Sequence, residues 1–124
     1  MHILTTLSLF IFTLLLLVSV HEYGHFLAAR LLNVKVLRFS VGFGKALWSW
    51  RDKHDTEYVI ASIPLGGYVK MLDEREGMTP AEFQHQAFNR QPLWRRTAIV
   101  CAGPLFNILF AIVAYWLMGM VGII

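Results

Sequence analysis

His21 and His25 stand four residues apart, with Glu22 beside the first, in the run Val20-His21-Glu22-Tyr23-Gly24-His25-Phe26. Four residues is just over one helical turn, so on an α-helix both imidazoles fall on one face and can share a metal ion. Glu22 lies about a third of a turn round from His21, where its carboxylate can reach a water at that ion without ligating it. Two nitrogen ligands on one face with an adjacent base are the layout of a zinc hydrolase. So short a pattern also arises by chance in soluble helices, and its surroundings decide between the two. Ile3 to Val20 contains no charged residue, and Phe26-Leu27-Ala28-Ala29 continues the apolar run to Arg30. An ionised side chain at membrane depth costs about 2.5 kcal/mol or more on insertion scales, so a carboxylate and two histidines clustered there are rarely idle. The bland alternative is that they bridge helices.

The elements that must hold these residues follow from composition. The chain has 124 residues, 56% of them hydrophobic, with a mean hydropathy of +0.54, too apolar for an ordinary soluble domain of its size. It reads as an α-helical integral membrane protein or a piece of a larger one. Cys101 is the single cysteine, so no disulfide forms within the chain. All 11 Lys and Arg fall between Arg30 and Arg96, bracketed by two hydrophobic stretches that contain no basic residue. That placement argues against nucleic acid as a partner and for a lipid bilayer, with residues 33–96 on the cytoplasmic side and both termini opposite. A cleaved signal peptide is rejected for residues 1–20: a basic start and a small-residue cleavage site are missing, and the apolar run continues through the histidines.

Four segments result. Residues 1–32 form a first transmembrane helix, which puts His25 and His21 roughly 7 to 14 Å below Arg30 at 1.5 Å per residue. Gly24 either lets another helix or a substrate backbone approach or is simply tolerated, as glycine is in membrane helices. Residues 33–78 are a β-rich, membrane-associated loop. Alternation around Val34, Val36, Phe39, Val41 and Phe43 ends at the turn Gly42-Phe43-Gly44, and a second run, Thr56 to Ile63, closes at Pro64 and Gly66-Gly67. Three or four short strands are expected, with Trp48 and Trp50 beside Arg51 and Lys53 resembling an interface belt. An open strand edge there either takes up an extended substrate by strand addition or is plain structure. Residues 79–96 hold a short amphipathic helix, with Thr79-Pro80-Ala81-Glu82 as a capping box and Phe83, Ala87 and Phe88 as an apolar face for the membrane surface; Pro92 ends it. Residues 97–124 form a second transmembrane helix, disturbed at Pro104. Asn107 is a buried amide that needs partners; it lines the site, where it would contact substrate, or it bridges helices. His54 and His85 read as surface histidines.

Taken together, these stretches resemble the site-2 protease family of intramembrane zinc metalloproteases. The residues that carry the resemblance are His21 to Phe26, Phe39-Ser40-Val41-Gly42-Phe43-Gly44, Ile63-Pro64-Leu65-Gly66-Gly67-Tyr68-Val69-Lys70-Met71, and Ala102-Gly103-Pro104 through Asn107. The resemblance implies zinc on His21 and His25, Glu22 as general base, and Gly42, Phe43 and Gly44 in a membrane re-entrant β-loop that presents substrate. It also implies a bacterial inner-membrane enzyme cleaving single-span membrane proteins such as anti-sigma factors. That family takes its third zinc ligand from an aspartate in a later membrane helix, beyond PDZ domains, so this chain corresponds to an N-terminal part that alone is incomplete and inactive; Asp73 is not promoted to ligand. Two alternatives use the same scaffold: a catalytically inactive protein that binds transmembrane helices, and a membrane metal-binding or transport protein. Neither needs a carboxylate beside the first ligand, whereas water activation does.

Overall fold

The computed structural model describes residues 2–122. Two long helices flank a small sheet: α1 over His2–Leu31, β1 over Val36–Arg51, β2 over Glu57–Met71, three 3-10 turns, and α2 over Leu93–Val121. Both helices are long and apolar enough to cross a membrane. The first half of α1 is exposed all round, as expected of a helix whose solvent is hydrocarbon, whereas its second half buries Glu22, Gly24, Phe26 and Ala29 against the rest of the chain.

The sheet is two strands by connectivity and four segments by pairing. β1 bends between Phe43 and Ala46 and β2 between Ala61 and Ile63, so residues 46–51 pair with 57–61 and residues 36–43 pair with 63–71. Residues 38–41 also sit beside 57–60, the two numbers rising together. The inner segments are thus 57–61 and 36–43, and the outer ones, 46–51 and 63–71, each have one edge without a strand partner among the described residues. Gly42 and Gly44, at φ 93 and 85, supply the left-handed backbone of the first bend, and Ser40 Oγ donates to the Gly42 carbonyl at 2.9 Å.

Phe26 and Ala29 of α1, Val34 and Val36 at the start of the sheet, and Ile99 of α2 form one core, with Phe39, Tyr58 and Phe88 packed against it. Arg30 ties α1 to the turn of the hairpin. Its Nη2 donates to Asp52 Oδ2 at 2.5 Å and to Thr56 Oγ1 at 2.9 Å, and the guanidinium lies 4.5 Å from the centre of the Phe26 ring. Arg95, in the first turn of α2, donates to the Leu32 carbonyl at 3.0 Å and so closes the end of α1.

The segment between sheet and α2 differs from the expected amphipathic helix over 79–96. The chain forms 3-10 turns at Glu74–Glu76, Ala81–Gln86 and Phe88–Arg90, and Thr79 provides no capping bond to the second of them. Tertiary hydrogen bonds explain this. The Phe88 amide donates to Leu72 at 2.7 Å and the Lys35 amide to the Gln86 carbonyl at 3.0 Å, drawing the backbone out of a continuous α-helical ladder. Ala87 is fully buried and Phe88 meets the core, so the apolar face turns to the protein and not to a membrane surface. Pro92 is the residue before α2, which starts at Leu93 and not at Thr97. Residues 123–124 of the expected second span, and Met1 of the first, lie outside the described residues.

Candidate metal centre

His21, Glu22 and His25 converge on one face of α1, their ligand atoms all within 4.8 Å of one another. The opposing wall is α2 at Gly103. A Cβ there would meet His25 Nε2 at 2.5 Å and His21 Cε1 at 2.8 Å, so only glycine leaves room for both rings. Gly24 does the same for the helix crossing, because a Cβ on it would run into the Ala102 carbonyl. Of the two readings open for Gly24, close approach is the one observed. Pro104 sits in the same stretch of α2 and removes the amide hydrogen that would bond the Val100 carbonyl.

His25 Nδ1 lies 2.7 Å from the Ile99 carbonyl. A carbonyl only accepts, so Nδ1 carries the proton and the lone pair is on Nε2. That nitrogen points at His21 Nε2, 3.1 Å away. The approach requires something positive between the two nitrogens, either a proton on His21 or a metal ion. Two nitrogens on a tetrahedral zinc at about 2.0–2.1 Å stand roughly 3.3 Å apart, close to the observed bite. Glu22 is 8% exposed and its Oε2 has no hydrogen-bond partner. An unpaired carboxylate oxygen in a buried position costs stability unless a cation or a proton meets it there. The donor set, its spacing and the orphaned oxygen therefore fit zinc.

A cleft of about 470 Å³ opens beside these residues. Leu14, Leu17 and Val18 of α1 form one side, with Phe43, Leu65, Gly66 and Gly67 of the sheet opposite and Asn107 of α2 at the end. Of the turn 42–44, Phe43 alone reaches the cleft. Gly42 is buried, and a Cβ on it would lie 2.8 Å from the Ile63 carbonyl, so Gly42 and Gly44 shape the bend that delivers Phe43. The strand that borders the cleft is the outer half of β2, at Leu65 to Gly67, which sequence reasoning treated only as a closing turn. Its signal was present in Gly66-Gly67, two residues without side chains on a strand edge. Gly103 and the Ile99 carbonyl were also missed as parts of the site; only Gly103-Pro104 could have pointed to them. Asn107 Nδ2 lies 3.5 Å from His21 Nδ1, which brings that amide into the site. His54 lies at the hairpin turn and His85 is exposed in a 3-10 turn, and neither joins the cluster.

Residues 9–123 match peptidase family M50. The chain is 58% identical over 123 residues to "Protease RseP" of Yersinia pestis, covering 99% of this chain and 27% of the relative. It is 61% identical over 115 residues to "Putative zinc metalloprotease" of Vibrio cholerae serotype O1, covering 92% and 25%. To "Regulator of sigma-E protease RseP" of Escherichia coli (strain K12) it is 56% identical over 117 residues, covering 94% and 26%. The chain thus spans about a quarter of the length of the curated relatives it matches.

Proposed function

Since the chain belongs to peptidase family M50, we propose that it is the metal-binding N-terminal part of an intramembrane zinc endopeptidase. The observation that carries this reading is the meeting of two imidazole Nε2 atoms and an orphaned, buried carboxylate beside an open strand edge. His21 and His25 hold the zinc. When bound, the ion supplies Lewis acidity, which lowers the pKa of water to about 7 and polarises a carbonyl. Glu22 takes the proton from the attacking water and can hand it to the leaving amine.

The substrate of this reading is a single-span membrane protein, such as an anti-sigma factor. A peptide bond inside a helix is shielded by its own hydrogen bonding, so the substrate unwinds before it is cut. Residues 65–67 belong to the outer segment of the sheet and line the cleft, so they hold the unwound segment by strand addition, and Phe43 packs against it. Asn107 lies at the end of the same cleft, within reach of that segment.

The same reading places α1 and α2 across the inner membrane and residues 33–96 in the cytoplasm, supported by the confinement of all 11 Lys and Arg between Arg30 and Arg96. A catalytic zinc takes three protein ligands and keeps a fourth position open, so a third ligand comes from the longer protein, an aspartate in a later membrane helix, with PDZ domains between. In the full-length protein Glu22→Gln retains zinc and loses cleavage of a single-span substrate, whereas His21→Ala and His25→Ala lose both. Normal turnover in Glu22→Gln eliminates the mechanism. Labelling of a cysteine at Lys53 from the cytoplasmic side supports the topology, and labelling only from the opposite side reverses it.

A further inference from the structure

We propose that Asn107 is a positioning residue that selects the tautomer in which His21 can bind metal, its amide oxygen accepting a hydrogen bond from His21 Nδ1–H. The inference rests on the zinc reading above and deepens it. A neutral imidazole carries one N–H, so a histidine that ligates through Nε2 must hold its proton on Nδ1, and in a buried site that proton needs an acceptor. For His25 the acceptor is explicit, the Ile99 carbonyl at 2.7 Å. His21 Nδ1 meets the Asn107 amide at 3.5 Å, its one side-chain hydrogen-bond contact among the described residues. Its oxygen, Oδ1, is buried without a partner.

An asparagine amide is nearly symmetric in shape, and half a turn about its last bond exchanges oxygen and nitrogen. The two orientations have opposite consequences. With Nδ2 toward His21, Nδ1 is the acceptor, the proton sits on Nε2 facing His25, and His21 is withdrawn as a ligand. With Oδ1 toward His21, the orphaned oxygen gains a donor, Nδ1 is protonated, and both Nε2 lone pairs meet at the 3.1 Å bite. The second orientation makes the two histidines equivalent, each anchored through Nδ1–H to an oxygen of α2. Since Ile99 and Asn107 are eight residues apart on that helix, with Gly103 midway between them, α2 holds the ligand pair from both ends while the glycine leaves space for the rings. Partners of this kind beyond the ligands themselves are worth 10- to 100-fold in metal affinity.

The test uses the full-length protein and two substitutions of similar size. Asn107→Asp keeps an acceptor and removes the donor; Asn107→Leu removes both. Zinc affinity is measured by chelator competition, and the His21 tautomer by ¹⁵N chemical shifts of labelled histidine. Asn107→Asp is expected to hold zinc at least as tightly as the parent, with His21 protonated on Nδ1. Asn107→Leu is expected to weaken zinc 10- to 100-fold and to lose that spectroscopic signature. Equal weakening in both variants overturns the proposal, because the group required would then be the amide donor or the packing. Parental zinc affinity in Asn107→Leu also overturns it and leaves substrate contact as the role of this side chain. His21→Ala separates the two levels of the argument: if it binds zinc as the parent does, the metal reading itself fails, whereas a loss there with none in Asn107→Leu defeats only the tautomer assignment.

Discussion

His25 and Arg30 stand five positions apart on the same helix, and each faces a carboxylate, yet the two clusters are built to opposite ends. At Asp52 every acceptor position is filled. Oδ2 receives Arg30 and the Tyr58 hydroxyl at 2.5 and 2.7 Å, and Oδ1 receives the amides of His54 and Thr56 at 2.9 and 3.1 Å. Burial pushes this carboxyl up, but hydrogen bonds from Arg30, Tyr58 and the two amides outweigh it and hold the group well below the usual carboxylate range. At Glu22 one oxygen is buried with no partner, and the two histidine Nε2 atoms beside it stand 3.1 Å apart with room for a cation between them. A carboxylate becomes part of a clasp where its hydrogen-bonding capacity is saturated and stays available to a cation or a proton where it is left open. Residue type proposes chemistry, and satisfaction decides it.

The sharpest way to break this contrast is at its open end. Glu22→Gln is expected to reduce cleavage in the full-length protein by about 10²- to 10⁴-fold, the usual share of a general base. Because it neutralises an unpaired buried charge, thermal unfolding in detergent should show stability equal to or above the parent. A fall in stability with cleavage intact would place Glu22 with Asp52 as a structural group. Next in size is Gly103→Ala. Its methyl occupies space held by both imidazoles, so zinc affinity by chelator competition is expected to drop at least tenfold.

The saturated cluster predicts the converse. Asp52→Ala leaves Arg30 and the Tyr58 hydroxyl without their acceptor and should destabilise the fold by about 1–3 kcal/mol, with zinc affinity unchanged. Its pH dependence has a definite sign. A carboxyl depressed by folding contributes stability above its unfolded value, about 3.9, and loses it as pH falls through the lower folded value. The stability gap between parent and Asp52→Asn should therefore stay constant from neutral pH down to about 4 and shrink only in stronger acid. Smallest of all is Arg51→Ala. Arg51 and Asp55 pair at 3.2 Å with side chains 59% and 73% exposed, so equilibrium unfolding should register less than about 0.5 kcal/mol.

The legibility of these regions in sequence follows the range of the interactions that define them. His21-Glu22-His25 needs only the pitch of one helix, and the two long helices need only their apolar runs, so both were readable. The bonding of Asp52 was not legible, because its partner, Arg30, lies 22 positions earlier in the chain, a distance no local pattern encodes. The bends of β1 and β2 were visible as glycines, but the placement of 38–41 between 57–60 and 67–70 depends on pairing across the whole hairpin. Thr79-Pro80-Ala81-Glu82 had the local chemistry of a helix start and lost to the bond between the Phe88 amide and Leu72. Asn107 was found as an amide in need of a partner; that the partner is His21, 86 positions away, only the helix crossing reveals.

The bond from Arg95 to the Leu32 carbonyl makes the chain leave α1 and return to α2 at one point, so that residues 33–92 behave as a cassette with its entrance and exit fastened together. Lengthening a turn inside such a cassette adds loop entropy only logarithmically, about 0.6 kcal/mol for each doubling of the turn. The turn at Gly77, where an added Cβ would meet no atom within 4 Å, would absorb an inserted epitope or reporter without disturbing the spacing of the two helices. Enzymes sharing this scaffold can therefore diversify what their sheet recognises by exchanging or extending the cassette, while the helix crossing that carries the histidines keeps one geometry throughout.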